Sequence, residues 1–221
     1  MQAERYADRH EAGRALGEAL QRKFASRHDL IVLALPRGGV PVAYHVAEAL
    51  GAPLDVFIVR KLGVPGHEEL AMGAIASGGV RVLNQDVLRY VPVAPAKIEE
   101  VAARELRELE RREKSYRGSR PPLNVSGKTV IIVDDGLATG STMRAAVRAL
   151  RAMGPVAVIV AVPVAARQTC DEFRREVDDI VCLRTPEPFD AVGFWYRDFS
   201  QTEDEEVHEL LERANAAAEE K

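Results

Sequence analysis

Residues 130–143, VIIVDDGLATGSTM, constrain the fold of this 221-residue chain more than any other stretch. They begin with four β-branched apolar residues, a run typical of a strand that is buried on both faces of a parallel sheet. Two adjacent acids follow, and a loop of small residues then opens onto a pattern that predicts a helix over 143–153. Buried strand, loop and helix form the repeating unit of α/β sheets, so the sequence predicts an α/β fold.

The loop of this unit has the chemistry of a phosphate site. Ligands of open α/β sheets bind beyond the carboxyl ends of the strands, where this loop is expected to lie. Small residues leave backbone N–H groups accessible at the start of a helix, and hydroxyl groups add further donors. The predicted phosphate-binding residues are Gly136, Leu137, Ala138, Thr139, Gly140, Ser141 and Thr142.

The two acids, Asp134 and Asp135, repel phosphate and need a different partner. Carboxylates accept hydrogen bonds from ribose hydroxyl groups, and their oxygens also suit Mg²⁺. A phosphate loop directly after two such acceptors indicates a ribose 5-phosphate as the ligand. An ordinary strand–loop–helix unit with a capped helix is the alternative.

Residues 130–143 resemble the phosphoribosyl pyrophosphate (PRPP) motif of the type I phosphoribosyltransferases. The resemblance implies that Asp134 and Asp135 hold the ribose hydroxyl groups and Mg²⁺, and that the loop after them holds the 5-phosphate. It also implies a mainly parallel twisted sheet with helices on both faces and a small hood that binds the acceptor. The implied reaction moves the phosphoribosyl group from PRPP to that acceptor and releases pyrophosphate.

A second strand–loop–helix unit precedes the motif, with a strand predicted at 30–35 and a helix at 40–50. Glycine in the intervening loop allows close approach of a ligand, and arginine offers a fork of donors to phosphate. In the resembling family, the loop after the first core strand binds pyrophosphate, largely through backbone amides. The residues that take this predicted role are Pro36, Arg37, Gly38 and Gly39.

Two basic residues, Arg60 and Lys61, follow a further strand predicted at 53–59. A solvated surface loop is the ordinary interpretation of such a pair. Beside the PRPP motif, we predict that the pair and Arg37 act on the departing pyrophosphate. Residues 62–69 are predicted to form a loop, and the resemblance implies that it closes over the reacting centre and excludes water.

Aromatic residues are concentrated at 186–199. The resemblance implies that Phe189 and Trp195 stack on a nitrogenous base, whereas capping of the core is the alternative. Ala138 stands where the 6-oxopurine branch of the family carries an acid, which argues against hypoxanthine or guanine. The acceptor is therefore left unassigned.

The chain is predicted to form one domain over 1–221, with a helical insertion at about 84–120 and a hood and terminal helix at about 186–221. Residues 96–116 form a long charged helix in this interpretation. Such a helix is a surface element, a homodimer contact or an arm over the site. RNA binding is disfavoured, because acids interleave with the basic residues and no aromatic platform accompanies them.

Composition excludes several classes of protein. A net charge of −4 argues against nucleic acid as the main partner. No apolar stretch approaches the length that spans a membrane, and the charged N-terminus lacks a signal-peptide core. Two cysteines and five scattered histidines predict no transition-metal site. We therefore expect a cytoplasmic protein.

The sequence thus predicts a Mg²⁺-dependent phosphoribosyltransferase of nucleotide salvage, with PRPP and a small-molecule acceptor as its partners. A non-catalytic PRPP-binding regulator is the alternative. The basic pair and the aromatic hood favour an enzyme, because a regulator needs only the phosphate loop. A third interpretation uses the same fold on another phosphorylated ribose.

Overall fold

The computed structural model describes residues 4–219, with side chains described up to residue 216. These residues form two compact units. The first contains the chain up to Val56, Val125–Gly140 and the chain from Pro155 onward. The second contains Phe57–Asn124 and Ser141–Gly154.

Strands and helices alternate through most of the described part of the chain. Their bounds, in chain order, are α1 (Arg9–Phe24), β1 (Leu30–Ala34), α2 (Gly39–Leu50), β2 (Leu54–Val56), β3 (Val59–Val64), β4 (His67–Ala76), β5 (Val80–Leu83), α3 (Gln85–Tyr90), α4 (Pro95–Arg117), β6 (Thr129–Val133), α5 (Ser141–Ala152), β7 (Ala157–Val164), α6 (Arg167–Phe173), β8 (Asp179–Arg184) and α7 (Asp204–Glu219). Short 3₁₀ helices occupy Ser77–Gly79 and Val192–Trp195.

The first unit is built on five parallel strands in the order β2-β1-β6-β7-β8. The central strand is β6, and all five of its residues are buried, as expected for a β-branched run with strands on both sides. Leu33 of β1 and Val160 of β7 both lie opposite Ile132. Helices flank this sheet, so the predicted α/β class with a mainly parallel sheet is confirmed.

The helix α1 begins at Arg9. Its N-cap is Asp8, whose carboxylate accepts the backbone N–H of Glu11 at 2.7 Å. This cap satisfies a donor that the helix leaves unpaired, and it places Arg9 at the first helical position. The apolar face of α1 is buried through Ala12, Leu16 and Leu20.

The second unit contains an antiparallel sheet in the order β3-β4-β5, which corrects two predictions. The strand predicted at 53–59 is two strands, β2 and β3, and the loop predicted at 62–69 is mostly the hairpin between β3 and β4. Leu62 and Val64 are buried, as expected for alternate residues of a strand with one buried face. The sequence pattern did not indicate this strand, because charged residues precede it and Gly and Pro residues lie around it. The turn is confined to Pro65 and Gly66, where Gly66 has a φ of 81°.

The remaining elements of the second unit complete the antiparallel sheet and cover it with helices. The segments 71–76 and 80–83 pair as an antiparallel hairpin around Ser77–Gly79. The long charged helix is α4, and α5 begins at Ser141, inside the PRPP-like motif. Both helices pack on the antiparallel sheet.

Candidate functional site

The loop after β1 packs directly against the acidic pair after β6. A Cβ at Gly39 would lie 2.8 Å from the carbonyl oxygen of Val133, and one at Gly38 would lie 2.2 Å from Oδ2 of Asp135. The neighbour of Gly39 is backbone, so only glycine fits there, and the two loops pack directly against each other. The peptide bond between Pro36 and Arg37 is cis. The basic pair at 60–61 and residues 62–69 belong to the other unit, and the role predicted for them at the reacting centre stays a prediction.

Burial sets the electrostatics of the acidic pair. Both carboxylates are half-buried, and Oδ1 of Asp134 accepts the N–H of Asp135 at 2.9 Å. Burial raises the pKa of Asp134 well above its ordinary value, and the negative charge of Asp135 raises it further. Burial also raises the pKa of Asp135, against the opposing effect of Arg9. Burial therefore disfavours the charged form of both acids, and a cation or hydroxyl donors beside them would stabilise it.

The partner of Asp135 is Arg9, which the sequence analysis did not identify. Its Nε donates to Oδ2 of Asp135 at 2.8 Å, and its Nη1 donates to the carbonyl oxygen of Ser200 at 2.7 Å. The guanidinium also lies 4.0 Å from the centre of the Phe199 ring. Its position in the first turn of α1 is a signal that the sequence offered. A cation is unfavourable at the positive end of the helix dipole, so an arginine there suggests that an acid lies nearby.

Tyr196 is a second contact that the sequence did not reveal. Its hydroxyl donates to the carbonyl oxygen of Asp135 at 2.5 Å, and burial raises the pKa of this phenol. The Tyr196 ring lies 5.7 Å from that of Tyr6, and the segment containing Tyr6 pairs with it through backbone hydrogen bonds. The end of β6 is thus held by residues from both ends of the described chain.

The start of the phosphate loop is anchored by backbone pairing to β7 and α6. Leu137 donates its N–H to Val164 and accepts the N–H of Ala166, each at 2.9 Å, and its side chain is buried. The hydroxyl of Thr169 donates to the carbonyl oxygen of Ala138 at 2.6 Å. These bonds give Leu137 a structural role. Its predicted contact with phosphate stays untested.

The rest of the loop is open to solvent. Four of the predicted phosphate-binding residues are exposed, namely Ala138, Thr139, Ser141 and Thr142. Gly140 is buried with a φ of 72°, and a Cβ there would lie 2.6 Å from Cε2 of Phe173. Any side chain at Gly140 would meet both backbone strain and the Phe173 ring. The loop geometry therefore depends on this glycine.

Lys61 contacts Ser141, the residue of the predicted phosphate loop that begins α5, and both residues belong to the second unit. Its Nζ donates to Oγ of Ser141 at 2.7 Å. Both residues line a cavity of about 360 Å³ together with three further charged residues, Glu69, Arg144 and Arg148. The rest of the lining is small or neutral: Ala71, Gly73, Ala74, Val82, Asn84 and Ala145. Three cations and one carboxylate give this cavity a positive lining suited to an anion.

Arg60 has different surroundings from Lys61, because successive residues of a strand point to opposite faces. Nε and Nη2 of Arg60 donate to Oε2 of Glu105 on α4, at 3.0 and 2.7 Å. The side chain of Glu105 is mostly buried, and although burial raises its pKa, the bonds from Arg60 and Arg104 hold that pKa below the ordinary value. The two basic residues therefore do not act as one pair in this structure.

Arg37 is directed towards the start of α7. Its Nη1 lies 3.5 Å from a carboxylate oxygen of Glu203 and 3.8 Å from one of Asp204. These acids are more than half exposed, so the ion pairs are weak. The predicted role of Arg37 on pyrophosphate stays a prediction.

The predicted base-binding aromatics pack on a core cluster of the first unit. Phe189 and Trp195 stack at 6.5 Å and contact a cluster that contains Tyr6 and Val164. The indole Nε1 of Trp195 is buried without a hydrogen-bond partner in the described structure. Capping of the core is therefore observed, while stacking on an acceptor stays a prediction.

The acidic pair offers carboxylate ligands to a cation. Among the side chains that the structure describes, no group of three or more histidine, cysteine, aspartate or glutamate residues is placed to hold a metal ion. Mg²⁺ is usually held by only one or two carboxylates with water and substrate phosphates, so Asp134 and Asp135 fit that ion. Among the helices of the described part of the chain, none has the length and apolar character that crossing a membrane requires.

The sequence matches the family described as the phosphoribosyl transferase domain over residues 2–194. A protein of Mycobacterium tuberculosis strain H37Rv, named "Putative phosphoribosyl transferase", is 47% identical over 210 residues, which cover 95% of this chain and 47% of that protein. The "Bifunctional protein PyrR" of Chloroflexus aurantiacus is 32% identical over 127 residues, covering 53% of this chain and 60% of that one. The chain thus spans about half the length of the first of these curated relatives.

A solved structure shows the same fold over almost the whole chain. The crystal structure of TT1426 from Thermus thermophilus is 42% identical, with a TM-score of 0.84, and the match covers 94% of this chain and 97% of that one. The family match itself covers most of the sequence, including the loops after β1 and β6. The chain therefore belongs to the phosphoribosyl transferase domain family.

Proposed function

We propose that this chain transfers the 5-phosphoribosyl group of PRPP to a nitrogenous base or a related acceptor and releases pyrophosphate. The observation that carries the proposal is the loop after β6, where two half-buried carboxylates precede exposed small and hydroxyl residues. Family membership supports a reaction that uses PRPP. The acceptor, the metal and the individual residue roles are our proposals.

The acidic pair is proposed to hold the ribose. Asp134 and Asp135 accept hydrogen bonds from the two hydroxyl groups, while residues 138–142 bind the 5-phosphate. Positive charge develops on the sugar ring as its bond to pyrophosphate breaks, and the nearby carboxylates stabilise that charge more than they stabilise the bound substrate. The raised pKa values of both acids reflect burial of negative charge, which a developing positive charge would relieve.

The departing pyrophosphate is the proposed target of the basic residues. Backbone N–H groups of residues 37–39, together with the side chains of Arg37 and Lys61, bind and neutralise it, whereas the predicted role of Arg60 is replaced by its ion pair with Glu105. The contact of Lys61 with Ser141 supports a role beside the phosphate loop. Mg²⁺, held by pyrophosphate oxygens and by Asp134 and Asp135, would supply further positive charge to the leaving group.

The acceptor is proposed to bind beside the aromatic segment of the first unit, with Phe189 and Trp195 as stacking surfaces. The unpartnered indole N–H of Trp195 supports this assignment, because a base offers acceptor atoms. Ala138 supports an acceptor other than a 6-oxopurine. Salvage of bases in the cytoplasm is the role that this reaction would serve.

The test is an assay of pyrophosphate release from PRPP and Mg²⁺, with adenine, guanine, hypoxanthine, xanthine, uracil and orotate as separate acceptors. We expect release with one of them, and loss of that release when Asp134 and Asp135 are both replaced by Asn. Tight PRPP binding without release for any acceptor would favour the non-catalytic regulator. Failure to bind PRPP would reject both functions.

A further inference from the structure

We propose that Arg9 is a positioning residue that acts as a permanent counter-cation of the acidic pair, so that Asp134 and Asp135 can bind ribose hydroxyl groups before Mg²⁺ arrives with pyrophosphate. The inference rests on the proposed function for the identity of the sugar ligand. It assigns a role to a residue of α1 that lies outside the PRPP-like motif and both loops around it.

Three contacts fix the guanidinium of Arg9 at this place. It bonds to Oδ2 of Asp135 and to the carbonyl oxygen of Ser200, and it lies over the Phe199 ring. The side chains of Arg9 and Asp135 are only 11% and 15% exposed. Solvent and salt screen such a pair less than a surface ion pair, so the positive charge of Arg9 acts strongly on its surroundings.

The charge of Arg9 reaches both carboxylates. Arg9 bonds directly to Asp135, and the backbone N–H of Asp135 donates in turn to Oδ1 of Asp134 at 2.9 Å. Gly38 lies close to the oxygen of Asp135 that Arg9 bonds. A Cβ added at Gly38 would be 2.2 Å from Oδ2 of Asp135 and 3.2 Å from Nε of Arg9, so little space remains at this oxygen. A metal ion at Oδ2 would therefore have to displace the guanidinium.

This arrangement has two consequences for binding. Because one oxygen of Asp135 is held by Arg9, the direction of its other oxygen is fixed before the sugar arrives. Because the positive charge is part of the chain, Mg²⁺ by itself gains little at the pair. Mg²⁺ would then enter with the pyrophosphate of PRPP, and a sugar that lacks pyrophosphate would bind without it.

The experiment uses ribose 5-phosphate as the probe, because it has the diol and the 5-phosphate but no pyrophosphate. Calorimetry on the full chain compares the wild type with Arg9→Gln and Arg9→Lys, in EDTA and in millimolar MgCl2. We expect equal wild-type affinity in both buffers and a loss of about tenfold for Arg9→Gln in EDTA. MgCl2 should restore most of that loss, and Arg9→Lys should keep most of the affinity.

A matched control separates this role from a purely structural role in holding the terminal segments against the first unit. Arg184 also stacks on an aromatic ring, that of Tyr6 at 3.9 Å, and bonds to a backbone carbonyl, that of Glu4. Arg184→Gln should show the wild-type affinity in both buffers. Loss of affinity in Arg9→Gln that MgCl2 does not restore, or no loss at all, would overturn the inference.

A second measurement does not depend on the sugar. Thermal unfolding in MgCl2 alone should raise the midpoint of Arg9→Gln, where the pair lacks its cation, and leave the wild type unchanged. If the wild type does not bind ribose 5-phosphate, the proposed ribose site is rejected, and the MgCl2 melts still decide on Arg9. An equal response of both proteins to MgCl2 would count against the role of Arg9.

Discussion

The acidic loop after β6 and the basic cavity of the second unit each contain several charges of one sign, but they differ in how many opposite charges lie beside them. At the acidic loop, two carboxylates are crowded together, and Arg9 supplies a cation from within the fold. In the cavity, Lys61, Arg144 and Arg148 face a single acid, Glu69. A cation bonded to a carboxylate positions other groups, whereas a lining with more cations than carboxylates can attract an anionic ligand.

The same contrast occurs between two neighbouring residues of β3. Arg60 is held by a mostly buried carboxylate, whereas Lys61 bonds to the hydroxyl of Ser141, which carries no charge. A sequence of two basic residues therefore contains one cation that stabilises the unit and one that lines the cavity. The predictions below test this division.

The largest effect is expected for Lys61→Ala. If Lys61 neutralises the departing pyrophosphate, its loss should lower the rate of pyrophosphate release by about a hundredfold, with a smaller loss of PRPP affinity. Steady-state and binding measurements with the acceptor found in the panel would separate the two effects. Arg60→Ala is the comparison, and an equal or larger loss of rate there would break the division between the two residues.

A smaller effect is expected at each carboxylate of the pair. Replacing Asp134 or Asp135 by Asn keeps the shape but removes the charge that strengthens the bonds to the ribose hydroxyl groups, and we expect about tenfold weaker binding of ribose 5-phosphate for each. Calorimetry provides the measurement. Asp190→Asn, a change at an exposed carboxylate of the hood segment, serves as the control. Unchanged affinity in both variants would reject the ribose role.

The ion pair of Arg60 should appear in stability and not mainly in catalysis. We expect Arg60→Gln to lower the free energy of unfolding by about 1 kcal/mol at neutral pH, since the pair is partly shielded from solvent. The pKa of Glu105 is lowered in the folded state, so its contribution is present above the unfolded-state pKa and is lost as the pH falls through the folded-state value. Urea unfolding should thus show that the difference in free energy of unfolding between the wild type and Arg60→Gln becomes smaller as the pH falls. A constant difference would contradict this assignment.

The smallest effect is expected at the exposed edge of the cavity. Arg148 lines it from α5, and Arg148→Gln should weaken PRPP binding by about threefold, an effect that salt should reduce. Arg151→Gln, on the same helix but outside the lining, should have no effect. If both changes weaken binding equally, the cause is the overall charge of the helix and not the cavity.

The parts of the fold that the sequence predicted correctly are those in which neighbouring residues carry the information. The run 130–133, the acids and the small loop each have a local pattern, and β6, the loop and α5 follow it. The hairpin of β3 and β4 was missed because its tip resembles a loop and its pairing is set by contact with α4 and α5. Local composition could not distinguish a glycine-containing loop from a twisted strand pair.

The candidate site shows the same limit. Asp134, Asp135 and the loops beside them were predicted from local sequence patterns, and the structure places the glycines of the first loop against the acids. Arg9 is separated from Asp135 by 126 positions, and no spacing rule connects them. Likewise, only the alternation of β3 reveals that Arg60 and Lys61 point to different partners. The opposing charges of the site are fixed by tertiary packing.

The chain contains a single tryptophan, and it lies in the segment to which we assign acceptor binding. Trp195 precedes Tyr196, whose hydroxyl is bonded to the backbone of Asp135, and its own indole N–H has no acceptor in the described structure. Emission from the indole depends on hydrogen bonding and on the polarity around the ring. Excitation that is selective for tryptophan therefore turns the unmodified protein into its own optical probe, with every change in signal coming from one known position. Titrations with each nucleobase can then be recorded without a label, and the first spectral shift would identify the acceptor before any turnover is measured.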